Sequence, residues 1–223
     1  MARVVDLTHP LSAETPVHPK DTPVKVAFPL THAKHGMALS SLVLSSHAGT
    51  HMDAPFHMLP EGKTLDRYDV SRFVGTAVVL DVRGRSGGLS RETVAAAADA
   101  AGGLRPGDFA LIWAGWDEHF GGASMSAHPY VTGDSAAYLR ECGVTLVGVD
   151  FPSIDSSAEG SGKGIDAFDL SAHKALMSAD ILIVENLRNL GEIAGRRAPC
   201  AILPLSVVGV EGAPVRAVAW VEE

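Results

Sequence analysis

The chain has 223 residues, 46% of them hydrophobic and 20% charged, and its 18 Lys and Arg against 26 Asp and Glu give a net charge of −8. That length holds one domain or at most two small ones, with enough buried surface to need no disulfide or metal staple. The composition excludes disorder, the acidity argues against a nucleic-acid partner, and no apolar run approaches the ~18 residues of a membrane helix.

The start, Met1-Ala2-Arg3-Val4-Val5-Asp6, lacks a signal-peptide core, and Cys142 and Cys200 form no disulfide framework, so a cytoplasmic setting is expected. A strand is predicted over 4–7. Residues 24–28 and 38–46 alternate, with Leu42 and Leu44 on one face and Ser41, Val43 and Ser45 on the other. Prolines at 10, 16, 19, 23 and 29 cut this first quarter into short strands and loops. From residue 76 the pattern changes to buried strands at 76–82, 109–114, 145–149 and 181–184. Helices are predicted between them: 91–101 behind Ser90 as N-cap, one opening at Thr132 or Asp134 and running to Cys142, and 169–177. Two more strands, 201–208 (interrupted by Pro204) and 215–221, end the chain. The alternation predicts an α/β fold with mostly parallel pairing and right-handed crossovers. A β-rich N-terminal portion should share its core in a single domain, 1–223. The most loop-like stretch, 155–164, follows a strand end, where ligands often bind in α/β sheets.

One segment concentrates chemistry: His47-Ala48-Gly49-Thr50-His51-Met52-Asp53-Ala54-Pro55-Phe56-His57. His47 and His51 are four apart, as on a zinc-binding helix, but Gly49 and Pro55 oppose a helix. A strand end opening into a loop that folds back fits better, with Gly49 permitting the tight path. Such a loop can point His47, His51 and Asp53 at one ion. Imidazole with carboxylate and no thiolate suits Zn, Mn or Fe(II) and leans away from a purely structural zinc. The competing reading, a polar loop whose histidines bond to backbone, suits one histidine better than this density of ligand types.

The segment resembles the H-x-G-T-H-x-D-x-P-x-H signature of the cyclase family of metal-dependent hydrolases, which includes bacterial kynurenine formamidase and isatin hydrolase. Asp6-Leu7-Thr8-His9-Pro10-Leu11 resembles the family's opening strand, and Gly115-Trp116-Asp117 and 149–155 resemble later landmarks, so the likeness covers most of the chain. It implies a swivelling β/β/α fold and a mixed sheet. It implies a first metal on His47, His51 and Asp53, and a second built or completed by Asp53, His173 and Glu185. One or two Zn or Mn ions per chain, a homodimer or higher homo-oligomer, and His57 as the catalytic histidine are further implications. Without the likeness, His173 reads as a helix-surface histidine and Glu185 as an acid beginning the Asn186 turn. His57 is open to a second use as a ligand or as a partner of one. Asp53 or Glu185 could bridge two ions roughly 3.5–4 Å apart.

Other residues divide between pocket and packing. The formamidase subgroup typically has Trp where this chain has His18, a departure that weakens the match to that substrate while leaving His18 a candidate pocket residue. Trp116 and Phe56 are candidate substrate contacts with packing as the alternative, and Trp113 reads as core. Ser153 and Asp155 could orient a ligand histidine or cap a turn. Lys163 with Gly160-Ser161-Gly162 fails the phosphate-loop pattern, since Gly164 follows the lysine. His9, His32, His35, His119 and His128 read as ordinary polar or core histidines.

The expected activity is therefore hydrolysis of a C–N bond in an amide or cyclic amide of a small molecule by activated water, with His57 moving the proton. A lactone or ester hydrolase is a close variant. A cyclase or lyase working through an enolate is permitted by the family name but selected by nothing in the sequence. A metal-binding domain without catalysis is the third class.

Overall fold

The computed structural model describes residues 2–157 and 169–222. The strands are β1 (Ala2–Asp6), β2 (Lys25–Leu30), β3 (Leu39–Val43), β4 (His51–Asp53), β5 (Val74–Asp81), β6 (Gly88–Leu89), β7 (Phe109–Trp113), β8 (Tyr130–Val131), β9 (Leu146–Val149), β10 (Leu182–Glu185), β11 (Arg197–Pro204) and β12 (Gly212–Glu222). The helices are α1 (His32–His35), α2 (Arg91–Ala100), α3 (Gly133–Glu141) and α4 (Ser171–Met177).

The main sheet closes on itself. Strands β12-β11-β5-β7-β9-β10-β4 run round a seven-stranded barrel and return to β12 through its pairing with β4. The edge of β12 that meets β4 at residues 212–214 carries β1 further along, at residues 218–222. Within the barrel, pairing is parallel where helical crossovers intervene, from β5 to β7 to β9 to β10, and antiparallel at the other seams. The expected mostly parallel sheet is thus corrected to a mixed barrel, because its two ends are joined by antiparallel β4, β11 and β12.

Strand alternation sorts the apolar residues into two cores. Val79, Leu111, Leu146, Leu182, Val184, Met52, Ile202 and Ala217 fill the barrel. Their neighbours Leu80, Ile112, Val147 and Ile183 point outward and are covered by Val94 and Ala98 of α2, Leu139 of α3, and Ala172 and Leu176 of α4. The shared core expected from sequence is therefore two layers on opposite sides of one barrel wall. Ser90 caps α2 as expected, its Oγ accepting the Thr93 N–H at 3.4 Å.

The sequence places most elements to within a few residues, with three differences. First, the predicted strand at 38–46 stops at Val43, and the hairpin it forms with β2 is exposed along both strands. Second, the last strand pair begins earlier, at Arg197 and Gly212. Third, His51–Asp53 is a strand hydrogen-bonded on both sides, and not the loop expected there. Gly49 lies before it with φ of 64°, and the 3-10 turn Pro55–His57 follows it. The loop-like stretch 155–164 is described only to residue 157, so Glu159, Gly160-Ser161-Gly162, Lys163 and Gly164 lie outside the described residues. No helix among the described residues is long and apolar enough to cross a membrane.

Leu111 is fully buried in the barrel. Leu111→Ala should lower unfolding stability by about 2–5 kcal/mol, read from denaturant midpoints; a change below about 1 kcal/mol would contradict a close-packed interior.

Candidate metal centre

Three residues of β4 divide between the two sides of the barrel wall. Met52 points in and is fully buried, so His51 and Asp53 point out. Directly paired strand residues share a face, so Glu185, opposite His51, and Ile183, opposite Asp53, point the same way. α4 covers this face and brings in His173. His51, Asp53, His173 and Glu185 are all buried, Asp53 at 1% exposure.

Their polar atoms converge. His51 Nε2 is 3.5 Å from both Asp53 Oδ1 and Glu185 Oε2, while His173 Nε2 is 3.5 Å from Glu185 Oε1 and 3.8 Å from Asp53 Oδ2. His47 enters from the loop before β4, its Nδ1 2.8 Å from Asp53 Oδ1. His57, in the turn after β4, remains solvent-accessible, with its ring centre 4.4 Å from that of His47 and 5.8 Å from that of His173. The ligand atoms of His51, Asp53 and Glu185 lie within 4.8 Å of one another, and so do those of His47, Asp53 and His57. Asp53 belongs to both groups. They differ from the expected ligand sets in putting His51 with Glu185 and in bringing His57 to ligand distance beside His47.

Neighbouring acceptors fix the rings. His51 Nδ1 donates to the Gly49 carbonyl at 2.9 Å, which leaves Nε2 facing the carboxylates. His173 Nδ1 donates to Asp155 Oδ2 at 2.7 Å, and Asp155 also accepts the Ala172 and His173 N–H groups, at 2.9 and 3.1 Å. Asp155 thus orients His173 and ties down the start of α4. Glu185 Oε1 accepts the Ile154 N–H at 2.8 Å.

Burial and mutual charge set the protonation. Burial pulls the pKa of His47 down, but the Asp53 carboxylate beside it outweighs this and lifts it to about 9. His173 is likewise pulled down by burial and carried to about 10 by Asp155 and Asp53. Glu185 is pushed up to about 8 by burial and by the charge of Asp53. Asp53 pays for burial but is held well below the usual carboxylate range by His47, His51 and His173. His51 and His57 are both lowered, first by burial; the remaining Asp53 attraction and histidine repulsion do not reverse this.

A divalent cation fits this donor set. Asp53 Oδ1 is buried without a hydrogen-bond partner, although two imidazole nitrogens lie within 3.5 Å of it. A buried carboxylate oxygen left without a hydrogen bond is costly, and a cation facing that oxygen together with the ring lone pairs removes the cost. A Cβ at Gly212 would meet Asp53 Oδ1 at 3.1 Å and His47 Cε1 at 3.2 Å, so β12 reaches the cluster through a residue without a side chain.

The remaining candidates stand outside this cluster. Phe56 is 41% exposed in the turn leading to His57. Trp116 packs partly buried against the outer core and donates its indole N–H to the Met125 carbonyl at 3.0 Å. The loop carrying it is held by Asp150, whose carboxylate accepts the N–H groups of Ala114, Gly115 and Trp116 at 2.9, 2.7 and 3.0 Å. His18 is exposed, and its Nδ1 accepts the Lys20 N–H at 3.3 Å. Trp113 packs against the barrel core and carries Arg83 on its face at 3.7 Å. Sequence reasoning missed Glu211, whose Oε1 is 3.3 Å from His47 Nε2 and 2.5 Å from Ser46 Oγ. No local motif marks it; only barrel closure brings it 165 positions back to Ser46.

The chain belongs to the cyclase family: the family described as "Putative cyclase" matches residues 5–156. It is 32% identical over 217 residues to a kynurenine formamidase of Salinibacter ruber, spanning 96% of each chain. Among solved structures it resembles isatin hydrolase A from Ralstonia solanacearum with a TM-score of 0.86 at 25% identity, covering 99% of this chain and 92% of that one. It also resembles a potential metal-dependent hydrolase with cyclase activity, with a TM-score of 0.79 at 26% identity and full coverage of both chains.

With pKa values of about 9 and 10, His47 and His173 carry protons at pH 7 that ligation must displace. Adding Zn²⁺ or Mn²⁺ at pH 7 should release protons, and affinity should rise with pH up to about 10. Calorimetric titrations in two buffers of different ionisation heat read this directly; equal heats in both would contradict it.

Proposed function

We propose that this cyclase-family chain is a metal-dependent hydrolase that cleaves the C–N bond of a small amide or cyclic amide, in the manner named for its formamidase and isatin hydrolase relatives. The observation that carries the reading is Asp53, buried and flanked by His47, His51, His173 and Glu185, with the accessible His57 beside them. In this reading His47, His51 and Asp53 hold a first Zn or Mn ion, and Asp53, His173 and Glu185 build or complete a second site. A divalent ion there supplies Lewis acidity, lowering the pKa of water and polarising a carbonyl.

The chain's own groups supply the rest. His57 keeps an accessible edge, but the protein packed around its ring and the neighbouring imidazoles lower its pKa to about 4 against the pull of Asp53, so it is neutral at pH 7 and able to take a proton from attacking water. The same ring then returns that proton to the leaving nitrogen. Its accessibility, against the burial of His51 and His173, suits a group that meets substrate. Phe56, exposed in the turn leading to His57, and Trp116 are the candidate substrate contacts of this reading. His18, at the position where formamidases typically carry Trp, shifts the preference away from N-formylkynurenine itself.

The same reading takes 1–223 as one domain and its barrel and helices as the family's swivelling β/β/α arrangement. Two free cysteines accord with a cytoplasmic protein. It also takes the chain as a homo-oligomer. The β2–β3 hairpin leaves Phe28 64%, Leu39 52% and Leu42 62% exposed, and a hairpin without a covered face is marginal in water.

The test is a hydrolysis panel of N-formylkynurenine, isatin and an aryl lactone with Zn²⁺ or Mn²⁺ and a chelator control. Chelator-sensitive cleavage of an amide or lactam with oxygen-18 uptake from water is expected; ring chemistry without that uptake would overturn the hydrolase reading in favour of a lyase. His57→Ala should retain metal and lose turnover by about 10²–10⁴-fold. Loss of metal by that variant would make His57 a ligand.

A further inference from the structure

The three buried or half-buried histidines of the centre follow one rule. Each shows one ring nitrogen to the carboxylates at the centre and the other to an acceptor outside it. For His51 the outer acceptor is the Gly49 carbonyl, 2.9 Å from Nδ1, and for His173 it is Asp155, 2.7 Å from Nδ1. For His47 the order of the nitrogens is reversed: Nδ1 faces Asp53 Oδ1 at 2.8 Å, and Nε2 faces Glu211 Oε1 at 3.3 Å. We propose that Glu211 is the positioning residue of His47, accepting its Nε2–H, so that His47 offers a metal its Nδ1 whereas His51 and His173 offer Nε2. This rests on the metal-dependent reading above and goes beyond it by assigning a residue and a ligand atom.

Glu211 is built for such a task. Its side chain is about one-third exposed, yet it is fixed at both ends of the residue. The Ser46 hydroxyl donates to Oε1 at 2.5 Å, and the Glu211 carbonyl accepts the Ala54 N–H at 2.7 Å, clamping the residue to the stretch just after Asp53. Gly212, next in sequence, lets this strand end approach Asp53 and His47, as the space lacking for a Cβ shows. An outer carboxylate of this kind fixes the tautomer and orientation of a metal-binding imidazole and raises its basicity. Asp155 occupies the matching place for His173, and it comes from an unrelated part of the chain.

Two measurements on the full-length protein test this. In zinc-loaded protein labelled with nitrogen-15, two-bond proton–nitrogen spectra of the imidazoles should show the ring proton of His47 on Nε2 and those of His51 and His173 on Nδ1. Competition with a chromophoric chelator should show zinc affinity reduced about 10–100-fold in Glu211→Ala, with Glu211→Gln between it and the parent. Glu192→Gln, altering a surface acid paired with Arg3, should bind like the parent. Should Glu211→Ala fail to fold, the parent's spectrum still decides the matter. A His47 proton on Nδ1 in the loaded protein, or unchanged affinity in a folded Glu211→Ala, overturns the proposal while leaving the metal centre intact. A parent that takes up no zinc defeats the metal-dependent reading itself, and this proposal with it.

Discussion

The burial of one carboxylate governs the centre. Asp53 lies on a strand between two others, at 1% exposure, with an oxygen that makes no well-aligned hydrogen bond although imidazole nitrogens crowd it. Moving an ionised carboxylate out of water is costly, and in practice such a group neutralises itself or acquires cationic partners. Here the surroundings supply partners. His47, His51 and His173 converge on it and hold it ionised. Two of those imidazoles take up protons to do so, a task that a divalent cation performs with more charge at closer range.

The barrel makes this arrangement possible because its closure is unusually local. Three residues of β4 bridge β10 and β12, and the alternation of a strand sends Met52 into the packed interior and His51 and Asp53 to the outer face. The pairing register then places Glu185 opposite His51 without further machinery. α4 supplies His173 over the same wall, anchored at its start by Asp155. The cluster therefore sits on regular strands and a helix. Only His47 and His57 come from irregular chain, on either side of β4, which suits the role proposed for His57 in meeting substrate.

Much of this was legible in the sequence. Helices α2 and α3 follow from capping residues and apolar spacing, and the buried strands β5, β7, β9 and β10 follow from short apolar runs. The motif at 47–57 pointed His47, His51 and Asp53 at one ion through the density of ligand types, while His57 gained its role only from the family resemblance. Its local structure was not legible: Gly49 and Pro55 signal a turn, and three residues are too few for strand periodicity to show. Closure of the barrel was hidden for a similar reason, since pairing of β4 with β10 and β12 joins segments more than a hundred residues apart. Glu211 falls in the same class, an ordinary acid before a glycine until the fold carries it to His47. His173 and Glu185 lie between these extremes, because only resemblance to a family pattern lifted them above a surface histidine and a turn acid.

The most direct test of the account is the metal stoichiometry of Asp53→Asn against the parent, by equilibrium dialysis with Zn²⁺ and elemental analysis, alongside a circular-dichroism check of folding. The substitution keeps the shape of the side chain and removes its charge. The account predicts that the parent retains one or two ions per chain and that folded Asp53→Asn retains none at the same free Zn²⁺. Parent-like metal content in the folded variant would contradict it, showing that the buried Asp53 carboxylate is not what holds the ion.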